Sequence, residues 1–256
     1  MRFEEKLTAV LRGLFFPPRC AACGEFLQEH LLDTEPRALC ENCRRKWEYA
    51  KLSLCKKCGE ELSSCRCMPL PLKQVGATAT LKMVSYDKMR DSVARRCILF
   101  MKRKNSDAVF DFFSKELAEL LKNYLEQTYT DEKSVLVTYV PRGRKNLMKS
   151  GVDQSELLAV GVANKLGSES KKLIGRHFGA NKEQKRMGGE DRFVHADSAF
   201  CLEAADFKAI NKKYRCLVLV DDVVTTGASL AACVRLLGEH FGGRIVCLSL
   251  ARTEKG

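Results

Sequence analysis

Residues 216–230 read CLVLVDDVVTTGASL: an apolar run, two adjacent acids, then a turn rich in hydroxyls that carries a glycine. The run 216–220 is continuously apolar and partly β-branched, which suits a short strand buried on both faces of a parallel sheet. Asp221 and Asp222 end that strand, in the crevice beyond the carboxyl ends where open α/β sheets bind ligands. A helix follows, because Leu230, Cys233, Val234 and Leu237 share one helical face. The amides of its first turn and the side chains of Thr225, Thr226 and Ser229 converge on a volume that suits a phosphate. Carboxylates repel phosphate, so two of them beside such a cradle imply a second partner on the same ligand. Sugar hydroxyls or a hydrated Mg²⁺ fit.

A second chemistry lies near the other end of the chain. Cys20-x-x-Cys23, Cys40-x-x-Cys43, Cys55-x-x-Cys58 and Cys65-x-Cys67 form four cysteine pairs. Each pair puts two thiolates on one knuckle, and two knuckles complete a tetrahedral Cys₄ shell around Zn²⁺, with no open position for catalysis. The spacing therefore predicts one or two structural zinc ions. Cys20, Cys23, Cys40 and Cys43 form one set in the simplest partition and Cys55, Cys58, Cys65 and Cys67 the other, with an interleaved arrangement as the alternative. Gly24 and Gly59 suit the tight turn after a knuckle. Disulfides and a redox C-x-x-C are disfavoured by a reducing compartment, and an iron-sulfur cluster by the regular pairing.

The elements that must position these groups follow from length and pattern. With 256 residues the chain can bury a sizeable core. Eight of its 13 cysteines precede residue 68, which separates a module at 1–70 from a domain at 71–256. Residues 3–16 are predicted as a packing helix stopped by Pro17-Pro18, with no signal peptide, and no stretch is long and apolar enough to span a bilayer. The expected compartment is the cytoplasm. Residues 68–71 read as a Pro-rich linker, 75–84 as an edge strand and 87–101 as a helix. Phe113, Leu117, Leu120, Leu121 and Tyr124 mark an amphipathic helix, 135–140 a buried strand, 154–166 a helix, and 245–250 a last buried strand, while Leu173-Ile174 begin a further one. The fold class is α/β, a parallel sheet flanked by helices with a small N-terminal cysteine-rich zinc module.

At the carboxyl end of the 135–140 strand, Pro141-Arg142-Gly143-Arg144-Lys145-Asn146 form a basic loop that presents amides and cations to a pyrophosphate. The polar stretch 176–192, with Lys182, Gln184, Lys185, Arg186 and Arg192, is disordered or a lid. A formal net charge of +12 attracts a phosphorylated ligand and a polynucleotide alike. Trp47 beside the bases 44–46 reads as a hydrophobic plug rather than a nucleic-acid stacker.

The string VDDVVTTGAS resembles the PRPP-binding signature of type I phosphoribosyltransferases. With Phe16-Pro17 before Cys20, the knuckles, residues 151–158, Arg176, Gln184, Arg192 and Phe200, the chain resembles, nearly end to end, the ComF family of bacterial competence proteins. The resemblance implies that Asp221 and Asp222 hold the ribose hydroxyls at the catalytic centre, with Val224, Thr225, Thr226, Gly227, Ala228 and Ser229 forming the phosphoribosyl site. Arg142, Gly143, Arg144 and Lys145 then form the pyrophosphate loop, Lys182, Gln184, Arg186 and Arg192 the flexible loop, and Mg²⁺ accompanies PRPP.

Two departures stand out. Thr138-Tyr139-Val140-Pro141 replaces the family's V-P-V-P, and Ser150-Gly151-Val152-Asp153-Gln154 replaces Arg-Gly-Phe-Asn-Gln, leaving Arg142, Arg144, Lys145 or Lys149 to supply the missing guanidinium. The span from Tyr86 to Lys102 is about a helical turn longer than the family pattern, so Lys102 is given no role. The implied function is an accessory of DNA uptake that binds PRPP or a related ligand and single-stranded DNA, with a helicase or other uptake proteins as partners. The alternatives are an active phosphoribosyltransferase of nucleotide metabolism and a PRPP- or nucleotide-sensing regulator.

Overall fold

A computed structural model describes residues 17–27, 37–87, 91–177 and 199–253. The predicted helix at 3–16 and the stretch carrying Lys182, Gln184, Arg186 and Arg192 lie outside the described residues.

Five strands form one sheet in the order β1 (Ala79–Ser85), β7 (Arg244–Arg252), β6 (Cys216–Val224), β2 (Val135–Tyr139) and β3 (Glu169–Ser170), every ladder parallel. A separate antiparallel pair joins β4 (Ile174–Arg176) to β5 (Phe200–Leu202). The strand begun by Leu173-Ile174 thus exists but leaves the main sheet. The chain runs outward from β2 to β3 on one side and from β6 to β7 on the other. The strand order therefore reverses between β2 and β6, and a crevice opens at their carboxyl ends.

Sequence periodicity explains the layers. Alternate residues of each central strand enter opposite cores: Val218 and Val220 face one, Leu217 and Leu219 the other. The first face is covered by α1 (Glu41–Lys51), α3 (Val93–Arg103), α4 (Asp107–Gln127) and α6 (Gln154–Leu166). The second is covered by α2 (Leu70–Gln74), α7 (Phe207–Lys213) and α8 (Ala228–Gly238). A short α5 (Arg144–Ser150) follows β2.

Three boundaries differ from the sequence pattern. Residues 70–74 form a turn of helix where a linker was expected, because Pro69 at the cap and Pro71 in the first turn pre-set helical φ without losing a needed donor. The basic segment is extended only to Gly143, and Arg144 and Lys145 open α5, which Gly151 ends at φ +74°. The strand through the acids does not stop at Val220. β6 continues through Asp221 and Asp222 to Val224, because β7 is long enough to pair Val223 with Ala251 and Val224 with Arg252.

The cysteine-rich module shares the first core. Ala21, Leu39, Cys43 and Trp47 are buried in one cluster with Ile98, Phe113 and Leu117. Trp47 is fully buried, its ring centroid 5.1 Å from Phe113 and edge-on to it. Its indole Nε1 donates to Glu116 Oε2 at 3.1 Å, and Lys51 Nζ donates to the same oxygen at 2.8 Å. Glu116→Ala leaves a buried indole N–H without its acceptor, while Lys51 keeps Glu48 at 2.6 Å. It is expected to lower stability by about 2 kcal/mol, less than a fully buried pair because Lys51 can reach water. Denaturant titration checks this, and a midpoint unchanged from wild type refutes it.

Candidate functional site

The eight knuckle cysteines converge as two groups of four. In Cys20, Cys23, Cys40 and Cys43, and likewise in Cys55, Cys58, Cys65 and Cys67, the sulfurs lie within 4.8 Å of one another. The simple partition therefore holds. A tetrahedral Zn²⁺ with Zn–S bonds of about 2.3 Å requires sulfurs about 3.8 Å apart. Cys23 and Cys40 Sγ stand at 3.6 Å, and Cys58 and Cys65 Sγ at 3.5 Å.

In each cluster one cysteine is held toward the thiolate by backbone amides, while Cys23 and Cys43, chiefly through burial, and Cys58, through burial and the neighbouring thiols, are raised. Burial raises the Cys20 thiol, but the amides of Cys23, Cys40 and Ala22 outweigh it and bring it down to about 7. Burial likewise raises Cys55, and the amides of Lys57 and Cys58 bring it down to about 6. Gly24 and Gly59 both adopt φ +77° and complete matching turns, with Gly24 N donating to Cys20 O and Gly59 N to Cys55 O. The two clusters fit structural zinc sites.

At the other site, the crevice between β2 and β6 gathers residues from five elements. Asp221 Oδ1 accepts from Ser155 Oγ at 3.3 Å and from the Asp222 amide at 2.9 Å. Asp222 Oδ2 meets Lys102 Nζ at 3.1 Å and Arg142 Nη2 at 3.5 Å. Burial, then the neighbouring Asp222 carboxylate, pushes Asp221 up to about 8.

Beyond β6, Gly227 adopts φ +81° as the N-cap of α8, a conformation that favours glycine, and Ala231 N donates back to its carbonyl. Thr226 Oγ1 accepts from Ala228 N at 3.4 Å. Thr225 and Ser229 are exposed at the mouth. The arrangement presents hydroxyls and a helix N-terminus beside two acids, which is chemistry for a phosphate joined to a polyol.

The β2 side is held by Asp153, the N-cap of α6. Its Oδ1 accepts from the amides of Ser155 and Glu156, and its Oδ2 from Arg142 N at 2.7 Å. One carboxylate thereby fixes both the start of α6 and the basic segment. A cleft of about 300 Å³ opens next to it, lined among others by Tyr139, Arg142, Arg144, Glu156, Arg176 and His177. Tyr139 Oη donates to Glu156 Oε1 at 2.8 Å, and burial followed by that carboxylate raises the phenol well above its ordinary value. Arg176 stacks over Phe200 at 4.8 Å and donates to Pro141 O at 3.4 Å.

Of the residues singled out by sequence, Asp221, Asp222, residues 224–229 and Arg142 come together in this crevice. Gly143 and Arg144 lie beside it, and Lys145 continues the first turn of α5. Lys102, given no role from sequence, reaches Asp222 because α3 begins only at Val93 and its last turn lies over the end of β6. No sequence signal fixed that register. Asp153 was legible as an N-cap: an acid directly before a periodic helix.

Residues 11–74 match the model of the double zinc ribbon domain. Among solved structures, the crystal structure of TT1426 from Thermus thermophilus aligns over 54% of this chain and 83% of its own, with 19% identity and a TM-score of 0.29. A likeness of that size carries no functional weight. No curated protein matches the chain. What these comparisons and the geometry give together is an α/β chain whose N-terminal part is similar to double zinc ribbons and holds two Cys₄ clusters suited to zinc.

Proposed function

We propose that the crevice between β2 and β6 binds a phosphorylated ribose such as PRPP, and that the chain is a ComF-like protein of DNA uptake. In this reading residues 1–70 are the zinc module and 71–256 a phosphoribosyltransferase-like domain. One observation carries it: an acid pair and a hydroxyl-rich loop leading into a helix N-terminus lie together where the strand order reverses, with Lys102 and Arg142 already on Asp222.

The loop 225–229 takes the 5′-phosphate, and Asp221 and Asp222 accept from the ribose 2′ and 3′ hydroxyls. Arg142, with Arg144 and Lys145 after it in the chain, is assigned to the pyrophosphate, and Lys182, Gln184, Arg186 and Arg192 are the residues this reading assigns to the family's flexible loop. Mg²⁺ arrives with the pyrophosphate and neutralises part of its charge. The chain's net charge of +12 supports single-stranded DNA binding, which falls with salt as phosphate contacts do. A helicase or another uptake protein is the partner this role requires.

An active phosphoribosyltransferase is the second reading, favoured by the cleft of about 300 Å³ beside Arg142, which has room for an acceptor. There a nitrogen of the acceptor bonds to ribose C1 as the C1–O bond to pyrophosphate breaks. Calorimetric titration with PRPP in Mg²⁺ tests the binding step: wild type is expected to bind, and Asp222→Asn to bind at least about ten-fold more weakly. Equal binding by both proteins, or none by wild type, refutes it. Release of pyrophosphate with any purine, pyrimidine or amine acceptor would establish the second reading.

A further inference from the structure

We propose that Lys82 is a positioning residue that ties the second cysteine cluster to the sheet, so that zinc held there keeps the loop 225–229 in the shape that takes a phosphate. Lys82 lies on β1 opposite Ser249 and is fully buried. Its Nζ donates to Cys65 O at 2.7 Å and Cys67 O at 3.0 Å. Among the described residues no carboxylate lies within salt-bridge distance of it. A buried ammonium held only by neutral carbonyls is costly. Four thiolates around one Zn²⁺ carry a net charge of −2, so loading the cluster supplies the anion that Lys82 lacks.

From this cluster two short paths lead to the phosphate loop. In the first, Arg252 at the end of β7 donates to Cys67 O at 3.3 Å, and the next residue, Thr253, donates its amide to Val224 O at 2.8 Å, just ahead of the loop. The second runs along the chain. Met68 and Leu72 are buried in one cluster with Val224 and Leu230, and a Cβ placed on Gly227 would lie 3.1 Å from Pro69 Cβ. Pro69 is two residues from a zinc ligand and packs directly against the one residue whose positive φ shapes the loop. Zinc at Cys55, Cys58, Cys65 and Cys67 therefore braces the loop from below, and a ligand in the loop steadies the zinc in return.

The inference rests on the ligand reading above for its function, and its structural half stands without it. With zinc-loaded full-length protein, three quantities are measured for wild type and Lys82→Met: zinc release to a chelator, amide hydrogen exchange at 225–229, and titration with Mg²⁺-PRPP. Lys82→Met is expected to release one of its two zinc ions about ten-fold faster. Exchange at 225–229 rises and PRPP affinity falls by about five-fold or more, while PRPP slows release of one zinc from wild type. Unchanged zinc release, or faster release with exchange at 225–229 as in wild type, overturns the proposal. If Lys82→Met does not fold, Cys58→Ser, at an exposed ligand position, is read by the same exchange measurement. If wild type does not bind PRPP, the ligand reading fails and the exchange result alone decides the coupling.

Discussion

Stripping both zinc ions with a chelator at neutral pH is expected to shift the emission of Trp47 to the red and to collapse the cysteine-rich module. Trp47 is the only tryptophan, fully buried between α1 and α4, so its emission reports the docking of the module and nothing else. The module has little core of its own. Around the second cluster the buried apolar residues are Cys55, Leu62 and Cys65. Such a unit cannot offset its chain entropy by burial, and structural Zn²⁺ supplies about 10 kcal/mol or more to comparable units.

Without metal, α1 loses the Cys40 and Cys43 bonds that fix its start, and with them the register that holds Trp47 against Phe112, Phe113 and Glu116. Fluorescence and circular dichroism on the same sample check this, with zinc added back to show reversal. Emission that stays blue after two zinc ions per chain have been removed would show that packing alone holds the module.

The parts of this architecture that sequence made plain are those dictated by local chemistry. Sulfur pairs on knuckles have few partners to choose from, and the partition into Cys20–Cys43 and Cys55–Cys67 sets follows chain order. The helix at 154–166 was legible to its ends because Asp153 caps one and Gly167, at φ +64°, terminates the other. The apolar run at 216–220 announced a buried strand, yet its true length was set by a partner far away in sequence, β7, which pairs on to Val224.

Lys102 on Asp222, and Lys82 under the second cluster, were illegible for the same reason. Each sits on an element of ordinary pattern, and its meaning comes from what the tertiary fold sets beside it. A lysine inside the strand at 75–84 reads as an outward polar position. Only the packing of the zinc module over the carboxyl end of β1 makes it buried.

Asp221→Asn is expected to make the ligand-free protein more stable at pH 8.5 while abolishing the PRPP binding proposed above. The folded protein holds Asp221 at about 8 against an ordinary 3.8, with burial as the main cause and Asp222 as the second. Between those two pH values the folded state keeps a proton that the unfolded chain has lost. Stability therefore falls as pH rises from about 4 to about 8, and the full penalty is present only above that window.

Asparagine removes the charge and retains the Oδ1 that accepts from Ser155 and from the Asp222 amide. A gain of about 2 kcal/mol is expected, well below what the whole shift implies at roughly 1.4 kcal/mol per unit, because Asp221 is only half-buried and water relieves part of its charge. For a chain of this length that is a rise in Tm of about 5 °C at pH 8.5, shrinking to nothing near pH 4. Thermal melts of both proteins across that range provide the check. A variant no more stable than wild type at pH 8.5 would mean that Asp221 is already ionised at no cost in the free protein. Burial and the Asp222 carboxylate then do not hold a proton on Asp221 in the folded protein.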